Sequence, residues 1–238
     1  MANIVGMGID DTNNLVFAWF DDETVSAGSS KDLSSKRTPE PYKLPDGKKP
    51  RDIAEMAIDG TNNLVFAWYL DGTVSAGSSR DLSSKRKREP YKLPDGKTPK
   101  DIAGMGIDGT NNLVFAWYRD GTVSAGSSRD LTSKRKPQPY KLAPGKTPAD
   151  IVGMDIDGLV FDKPGERLFT LVGEVFKLVG SDEKENNSSS NAESATNIKK
   201  ALSGLITELV FAWYSDGTVS AGSSTDLIKV RQPYTYKK

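Results

Sequence analysis

The chain has 238 residues, and its 32 basic and 32 acidic side chains cancel, so no net field favours nucleic acid or an anionic membrane. It contains neither cysteine nor histidine, which excludes disulfides, cysteine nucleophiles, serine–histidine–acid triads and histidine-ligated zinc. The first residues lack the basic and apolar regions of a signal peptide, and no apolar run is long enough to span a bilayer. We therefore expect a soluble chain that needs no cofactor.

One unit of 49 residues recurs along the chain. The pattern I-[VA]-[GE]-M-x-I-D begins at Ile4, Ile53, Ile102 and Ile151. The motif LVFAW begins at Leu15, Leu64, Leu113 and Leu209, and TVSAGSS begins at Thr24, Thr73, Thr122 and Thr218. A Pro-Tyr pair follows at 41–42, 90–91, 139–140 and 233–234. The repeat therefore organises the chain, and we expect its fold to be built from four copies of one unit.

Each unit predicts four short strands. In the third unit these are DIAGMGID at 101–108, LVFAWY at 113–118, TVSAGSS at 122–128 and QPYKL at 138–142. The last of these has a proline near its start, which suits the edge of a sheet. An Asp-Gly pair between the second and third strands predicts a tight turn with positive φ. The first unit has Glu23 in place of that glycine, so we expect a strained or altered turn there.

Four short antiparallel strands in each of four repeats are typical of β-propeller blades. The second strand is apolar on both faces, with Phe66 and Trp68 on one face and Val65 and Tyr69 on the other, as expected for a strand between neighbouring blades. The first strand is rich in glycine, which allows close approach around an axis. The sequence therefore predicts an all-β fold, a closed four-bladed propeller with the first strands innermost.

The fourth unit is interrupted by an insertion. It departs from the repeat after residue 158 and resumes LVFAWY at Leu209, so residues 159–208 interrupt a propeller formed by 1–158 and 209–238. Apolar residues at 168–179 and 198–209 follow helical spacing around a polar stretch, 181–191, which we expect to be disordered. Two helices are the favoured prediction, and a strand pair around 163–165 is the alternative. Their apolar faces predict docking on the propeller, a partner or a second subunit.

Aromatic and polar residues that recur between blades form the candidate ligand site. Aromatic rings beside hydroxyl and charged groups suit sugars, which have apolar C–H faces and polar rims. The alternative is that the tryptophans are core residues that pack against the third strand of the neighbouring blade. The candidate residues are Trp19, Trp68, Trp117, Trp213, Tyr91, Tyr140, Ser79, Arg80, Ser128 and Arg129.

Acidic residues offer weaker candidates. Oxygen-bearing side chains in the IDGTNN loops, such as Asp59 and Asn62, suit calcium, but these residues are also ordinary turn formers. Asp155 and Asp157 are the one acidic pair special to a single blade, and a strand would place them on one face. An isolated pair of this kind is a weak basis for catalysis. We therefore predict no metal site and no enzymatic activity.

The units read D-I-V-G-M-x-I-D-G-T-N-N-L-V-F-A-W-Y-x-D-G-T-V-S-A-G-S-S-x-D-L, and this pattern resembles the short-repeat propeller modules of bacteria and fungi. Many of these modules are lectins or carbohydrate-binding appendages of secreted proteins. The resemblance implies a multivalent, non-catalytic protein with glycans as partners, in a repeat-amplified or engineered version. The alternative is a structural or protein-interaction scaffold in which residues 159–208 mediate homo-oligomerisation or bind a partner.

Overall fold

The computed structural model describes residues 2–109, 111–157 and 209–237, which form four antiparallel four-stranded sheets. The sheet of blade one contains β1 (Ile4–Asp10), β2 (Leu15–Phe20), β3 (Thr24–Ser29) and β4 (Asp32–Pro41). Blade two contains β5 (Ile53–Asp59), β6 (Leu64–Tyr69), β7 (Thr73–Ser78) and β8 (Asp81–Pro90). Blade three contains β9 (Ile102–Asp108), β10 (Leu113–Tyr118), β11 (Thr122–Ser127) and β12 (Asp130–Pro139). Blade four contains β13 (Ile151–Asp157), β14 (Leu209–Tyr214), β15 (Thr218–Ser223) and β16 (Asp226–Thr235).

The first strands of the four blades surround a common axis. Strand β1 packs against both β5 and β13, and β9 packs against the same two strands, so the four inner strands form a closed ring. Within each blade the strands follow chain order from the axis outward. The predicted four-bladed propeller, with glycine-rich first strands innermost, is confirmed. The close approach is tight, because a Cβ added to Gly6 would lie 2.6 Å from Met56 Cγ in the neighbouring blade.

Apolar side chains fill the space between adjacent blades. Phe66 and Trp68, on one face of β6, pack in a cluster with Met105 and Tyr118 of blade three. The opposite face of β6, which includes Val65 and Tyr69, packs in a cluster with Phe17 and Trp19 of blade one. Blades three and four repeat this arrangement. Both faces of the second strand are therefore buried, which is the reason that the predicted apolar pattern lacks a polar side.

The same backbone contacts join every pair of neighbouring blades. The amide of Lys43, beyond β4, donates to the carbonyl oxygen of Arg80 at 2.8 Å, and the amide of Leu82 donates to the carbonyl oxygen of Lys43 at 3.0 Å. Lys237 makes the corresponding contacts with blade one, where its amide donates to Lys31 O at 2.7 Å. The chain therefore closes the ring at its last described residues by the contact that it uses at the other three seams.

Two of the predicted positions need correction. The fourth strand of blade three is β12, whereas the prediction was 138–142, so the basic residues at 134–136 also belong to this strand. Its middle residues are exposed, because an edge strand of this kind faces solvent and carries no apolar alternation. In blade four, Tyr236 takes the position of Tyr91, and the Pro-Tyr pair at 233–234 lies two residues out of register.

The turn in blade one is strained but not altered, because the amide of Glu23 donates to the carbonyl oxygen of Phe20 at 3.2 Å as the amide of Gly72 does to that of Tyr69 at 3.0 Å. Glu23 has a φ of +65°, where Gly72 in the equivalent turn of blade two has a φ of +80°. This left-handed region costs an L-residue with a side chain about 1–2 kcal/mol. The insertion at 159–208, with its predicted helices and its alternative strand pair, lies outside the described residues.

Candidate functional site

The four tryptophans of the candidate ligand site lie inside the seams between blades. Each has a relative exposure of 0%. The indole N–H of Trp19 donates to the carbonyl oxygen of Ser79 at 2.9 Å, and that of Trp68 donates to the carbonyl oxygen of Ser128 at 3.1 Å. Each ring also stacks on the phenylalanine two residues before it. This placement agrees with the alternative in which the tryptophans are core residues, and none of the four rings is accessible to a ligand.

The tyrosines of the candidate site are also buried. The hydroxyl of Tyr91 donates to the carbonyl oxygen of Tyr69 at 3.2 Å, and the hydroxyl of Tyr140 donates to that of Tyr118 at 3.1 Å. Burial raises the pKa of Tyr91 above its usual value. Each tyrosine therefore holds the chain that leaves the outer strand against the end of the second strand of its own blade.

The arginines of the candidate site lie on the surface and link adjacent blades. Arg80 Nε and Nη2 donate to the two carboxylate oxygens of Glu40 at 2.7 and 2.6 Å. Arg129 Nε donates to Glu89 Oε1 at 2.6 Å across the next seam. The structure thus places Ser79 beside Trp19 of the preceding blade, and it places Ser128 beside Trp68. Ligand binding by these residues stays a prediction.

The loops that offered oxygen ligands for calcium are closed by their own hydrogen bonds. Asp59 Oδ1 accepts the backbone amide of Asn62 at 3.0 Å, and Asp59 Oδ2 accepts its side-chain amide at 2.8 Å. Asp108 and Asn111 form the same turn in blade three. Across the described ranges, no group of three or more acidic side chains is arranged to hold a metal ion. Within the same ranges, no helix is long and apolar enough to cross a membrane.

A cavity of about 300 Å³ opens at one end of the propeller axis, where the four inner strands begin. Nine of its twelve lining residues are aliphatic and three are charged, but polar atoms form most of the lining surface that stays exposed. The aliphatic lining consists of Ile4, Val5, Pro50, Ile53, Ala54, Ile102, Ala103, Ile151 and Val152. The charged lining consists of Arg51, Glu55 and Arg119.

The charged residues of this cavity occupy positions that differ between the blades. Glu55 stands where the other three blades have Gly6, Gly104 and Gly153. Arg119 stands at a position that differs in every blade, where the others have Asp21, Leu70 and Ser215. Glu55 has no counterpart in the other blades, whereas the buried tryptophans of the seams recur around the ring.

Glu55 is the buried acid of the cavity, with a relative exposure of 5%. Burial raises the pKa of its carboxyl well above the usual value; the nearby Asp155 raises it further, while an amide hydrogen bond and Arg119 oppose the shift. Glu55 Oε1 accepts the amide of Met56 at 3.0 Å. The carboxyl makes no ion pair with any residue in the described part of the chain. It is therefore a buried hydrogen-bonding group in the lining of the cavity.

The guanidinium of Arg119 is held at the rim of the cavity. Its Nε donates to the carbonyl oxygen of Lys100 at 3.1 Å. That carbonyl belongs to the short 3-10 helix Pro99–Asp101, which leads into β9. The equivalent helix Pro50–Asp52 supplies Arg51 to the same rim. The connections between blades therefore position the two cationic groups.

Asp155 lies deeper along the axis and is fully buried, whereas Asp157 at the end of β13 is only partly buried. Neither residue lines the cavity. Sequence reasoning identified Asp155 as special to one blade but missed Glu55, Arg51 and Arg119. A position-by-position comparison of the four first strands would have identified Glu55, because a glutamate among three glycines stands out in an inner strand.

Comparison with known proteins assigns no family to the chain. No protein-family model matches the chain. The search of curated proteins also finds no match. The chain is thus a four-bladed β-propeller of repeated 49-residue units, a fold that is compatible with a non-catalytic binding or scaffold role.

Proposed function

We propose that this protein is a non-catalytic binding module that takes one neutral, hydroxyl-bearing ligand, a single sugar residue, at the axial cavity. The observation that carries this proposal is the convergence of Glu55, Arg119 and Arg51 on one cavity at the axis. At about 300 Å³, the cavity lies at the lower end of the range for ligand pockets, which limits the ligand to about one sugar ring.

The mixed charge of the cavity favours a neutral ligand. Two guanidinium groups at the rim repel a cation, and the carboxyl of Glu55 disfavours an anion whenever it is ionised. Hydroxyl groups both donate and accept hydrogen bonds, so they match the guanidinium donors and also match Glu55 in either protonation state. The polar part of the exposed lining suits hydroxyl groups, and the aliphatic residues of the lining suit the C–H face of a sugar ring.

This proposal keeps the carbohydrate hypothesis but moves the site from the seams to the axis. The chain has no histidine and no cysteine, so a catalytic alternative would depend on carboxylates, and Glu55 is the cavity's one carboxylate among the described residues. The scaffold alternative rests on the apolar spacing of residues 159–208 and is tested separately below.

Calorimetry with a panel of neutral monosaccharides tests the proposal, with a sugar phosphate and an amino sugar as charged comparisons. We expect one binding site per chain. The Glu55→Gly variant, which restores the residue of the other three blades, should bind at least about tenfold more weakly, because the ligand loses a buried hydrogen-bonding partner.

The matched control is the double variant Arg80→Ala and Arg129→Ala, which alters two seams and leaves the axis intact. We expect its affinity to equal that of the wild type. Several sites per chain, or a loss of binding in the arginine variant alone, would move the site back to the seams. Binding of none of the neutral sugars would overturn the proposal.

A further inference from the structure

The side chain of Asp155 occupies the centre of the propeller and contacts all four blades. Its Oδ2 accepts the amide of Ile9 at 2.7 Å and the amide of Ile58 at 3.1 Å. Its Oδ1 accepts the amide of Ile107 at 3.0 Å and the amide of Ile156 at 2.8 Å. These isoleucines occupy the same position of β1, β5, β9 and β13, so each inner strand supplies one donor.

The donors converge because of how the blades are arranged. One edge of each inner strand pairs with the second strand of its blade, and the other edge presents unpaired N–H groups. In a closed ring of four blades, these free edges all face the axis. The four amides, which we call the amide ring (Ile9, Ile58, Ile107 and Ile156), therefore form a concentration of partial positive charge in a region without water access at Asp155.

One carboxylate has as many acceptor sites as the ring has amides, and the space inside the ring holds one carboxylate. Its two oxygens offer about four lone-pair sites, and four amides use them. A Cβ built on Gly8 would lie 3.3 Å from Asp155 Oδ2, and one built on Gly106 would lie 3.1 Å from Oδ1. A second acid at either position would therefore meet the first. This explains why one blade carries the acid while blade two has Ala57 and the others have glycine.

We propose that the amide ring is a binding site for a small monocarboxylate, that Asp155 is its resident ligand, and that removal of this side chain opens the site to formate from solution. Formate has the same two oxygens on one carbon as the aspartate side chain, so it can accept the same four hydrogen bonds. The proposal rests on hydrogen-bond geometry at the axis and does not depend on sugar binding at the cavity.

The test compares Asp155→Gly, which restores the residue of blades one and three, with the wild-type chain. Melting temperatures are measured at pH 7 in increasing sodium formate. Without formate, we expect the variant to melt below the wild type, because four buried amides lose their acceptor. Saturating formate should raise its melting temperature by about 3 °C or more beyond the shift of the wild type, which reports the general effect of salt.

Two matched variants separate binding in the ring from general stabilisation. Asp155→Asn fills the space but offers its own donors to two of the amides, so it should be destabilised and should not respond to formate. Glu55→Gly removes the other buried acid and leaves the ring occupied, so its response should equal that of the wild type.

The outcomes are decisive in either direction. If Asp155→Gly is unfolded without formate, formate should restore its strand signal in circular dichroism, and a failure to do so would overturn the proposal. An Asp155→Gly variant as stable as the wild type, or one that responds to formate no more than the wild type does, would also overturn it.

Discussion

Two tryptophans in almost identical surroundings differ in one hydrogen bond, and this difference predicts unequal costs for the same substitution. Trp117 and Trp213 are both fully buried, and each stacks on the phenylalanine two residues earlier, with ring centroids 5.9 and 5.8 Å apart. The indole N–H of Trp117 donates to the carbonyl oxygen of Ser224 at 2.8 Å. Among the described residues, Trp213 Nε1 is the buried side-chain donor that lacks an acceptor.

Replacement of either residue by phenylalanine removes the same ring atoms, so the packing cost is similar in the two variants. Trp117→Phe also leaves the carbonyl oxygen of Ser224 without its donor, which costs about 1–3 kcal/mol. Trp213→Phe instead removes a buried donor that has no partner, which relieves a penalty of the same kind. We therefore expect Trp117→Phe to lower the free energy of unfolding by at least about 1 kcal/mol more than Trp213→Phe does.

Urea unfolding at pH 7, followed by circular dichroism, measures this difference. The two variants should share the wild-type dependence on urea, so that the midpoints report stability. In melting temperature, a difference of about 1 kcal/mol corresponds to about 2–4 °C for a domain of this size. Equal losses in the two variants, or a larger loss for Trp213→Phe, would contradict this expectation and would indicate that the closing seam is bonded like the others.

Three further predictions follow from single residues or segments. Because burial raises the pKa of Glu55, the wild type should lose stability relative to Glu55→Gln as the pH rises above about 4.3. The loss in the free energy of unfolding should be up to about 1.4 kcal/mol per pH unit until the pKa of the folded state is passed. Urea unfolding of both proteins between pH 4 and 8 measures this loss, and a constant difference in stability would contradict it. Glu23→Gly should raise stability by about 1 kcal/mol in the same assay, because it relieves a φ of +65°, and an unchanged midpoint would show that the turn is unstrained. Replacement of residues 159–208 by Thr-Asn-Asn, the short loop of the other units, should preserve the strand signal and cooperative melting but change the oligomeric state seen by light scattering. An unfolded product would make the segment part of the core, and unchanged assembly together with unchanged partner binding would refute its predicted role.

The repeat made the blades predictable, because identical units must find identical surroundings in a ring. The apolar runs predicted the positions of the second strands, and the runs of small residues predicted the positions of the first strands. The fourth strand was misplaced because the exposed edge at 81–90 obeys no burial pattern, so its charged residues resembled a loop. In blade four, the outer strand diverges from the repeat, and the observed pairing, in which Val219 lies opposite Tyr234, fixes its register.

The candidate site was harder to predict than the fold. Sequence reasoning looked for ligand contacts in what recurs, and the recurring aromatic residues serve the seams between blades. Glu55 and Asp155 come together because a ring brings positions 100 residues apart onto one axis. That convergence depends on blade number and closure, which no single unit encodes. The departures from the repeat were the available signal, and they pointed to the axis.

The most direct test of the account is a crystal structure of the full chain with the tightest-binding sugar of the panel. If sugar binding belongs to the axial cavity, we expect one sugar per chain there, with a hydroxyl within hydrogen-bonding distance of Glu55. Asp155 should still accept hydrogen bonds from the four amides. A sugar bound at the Arg80–Glu40 seam, or at several seams of one ring, would contradict the assignment of the function to the axis.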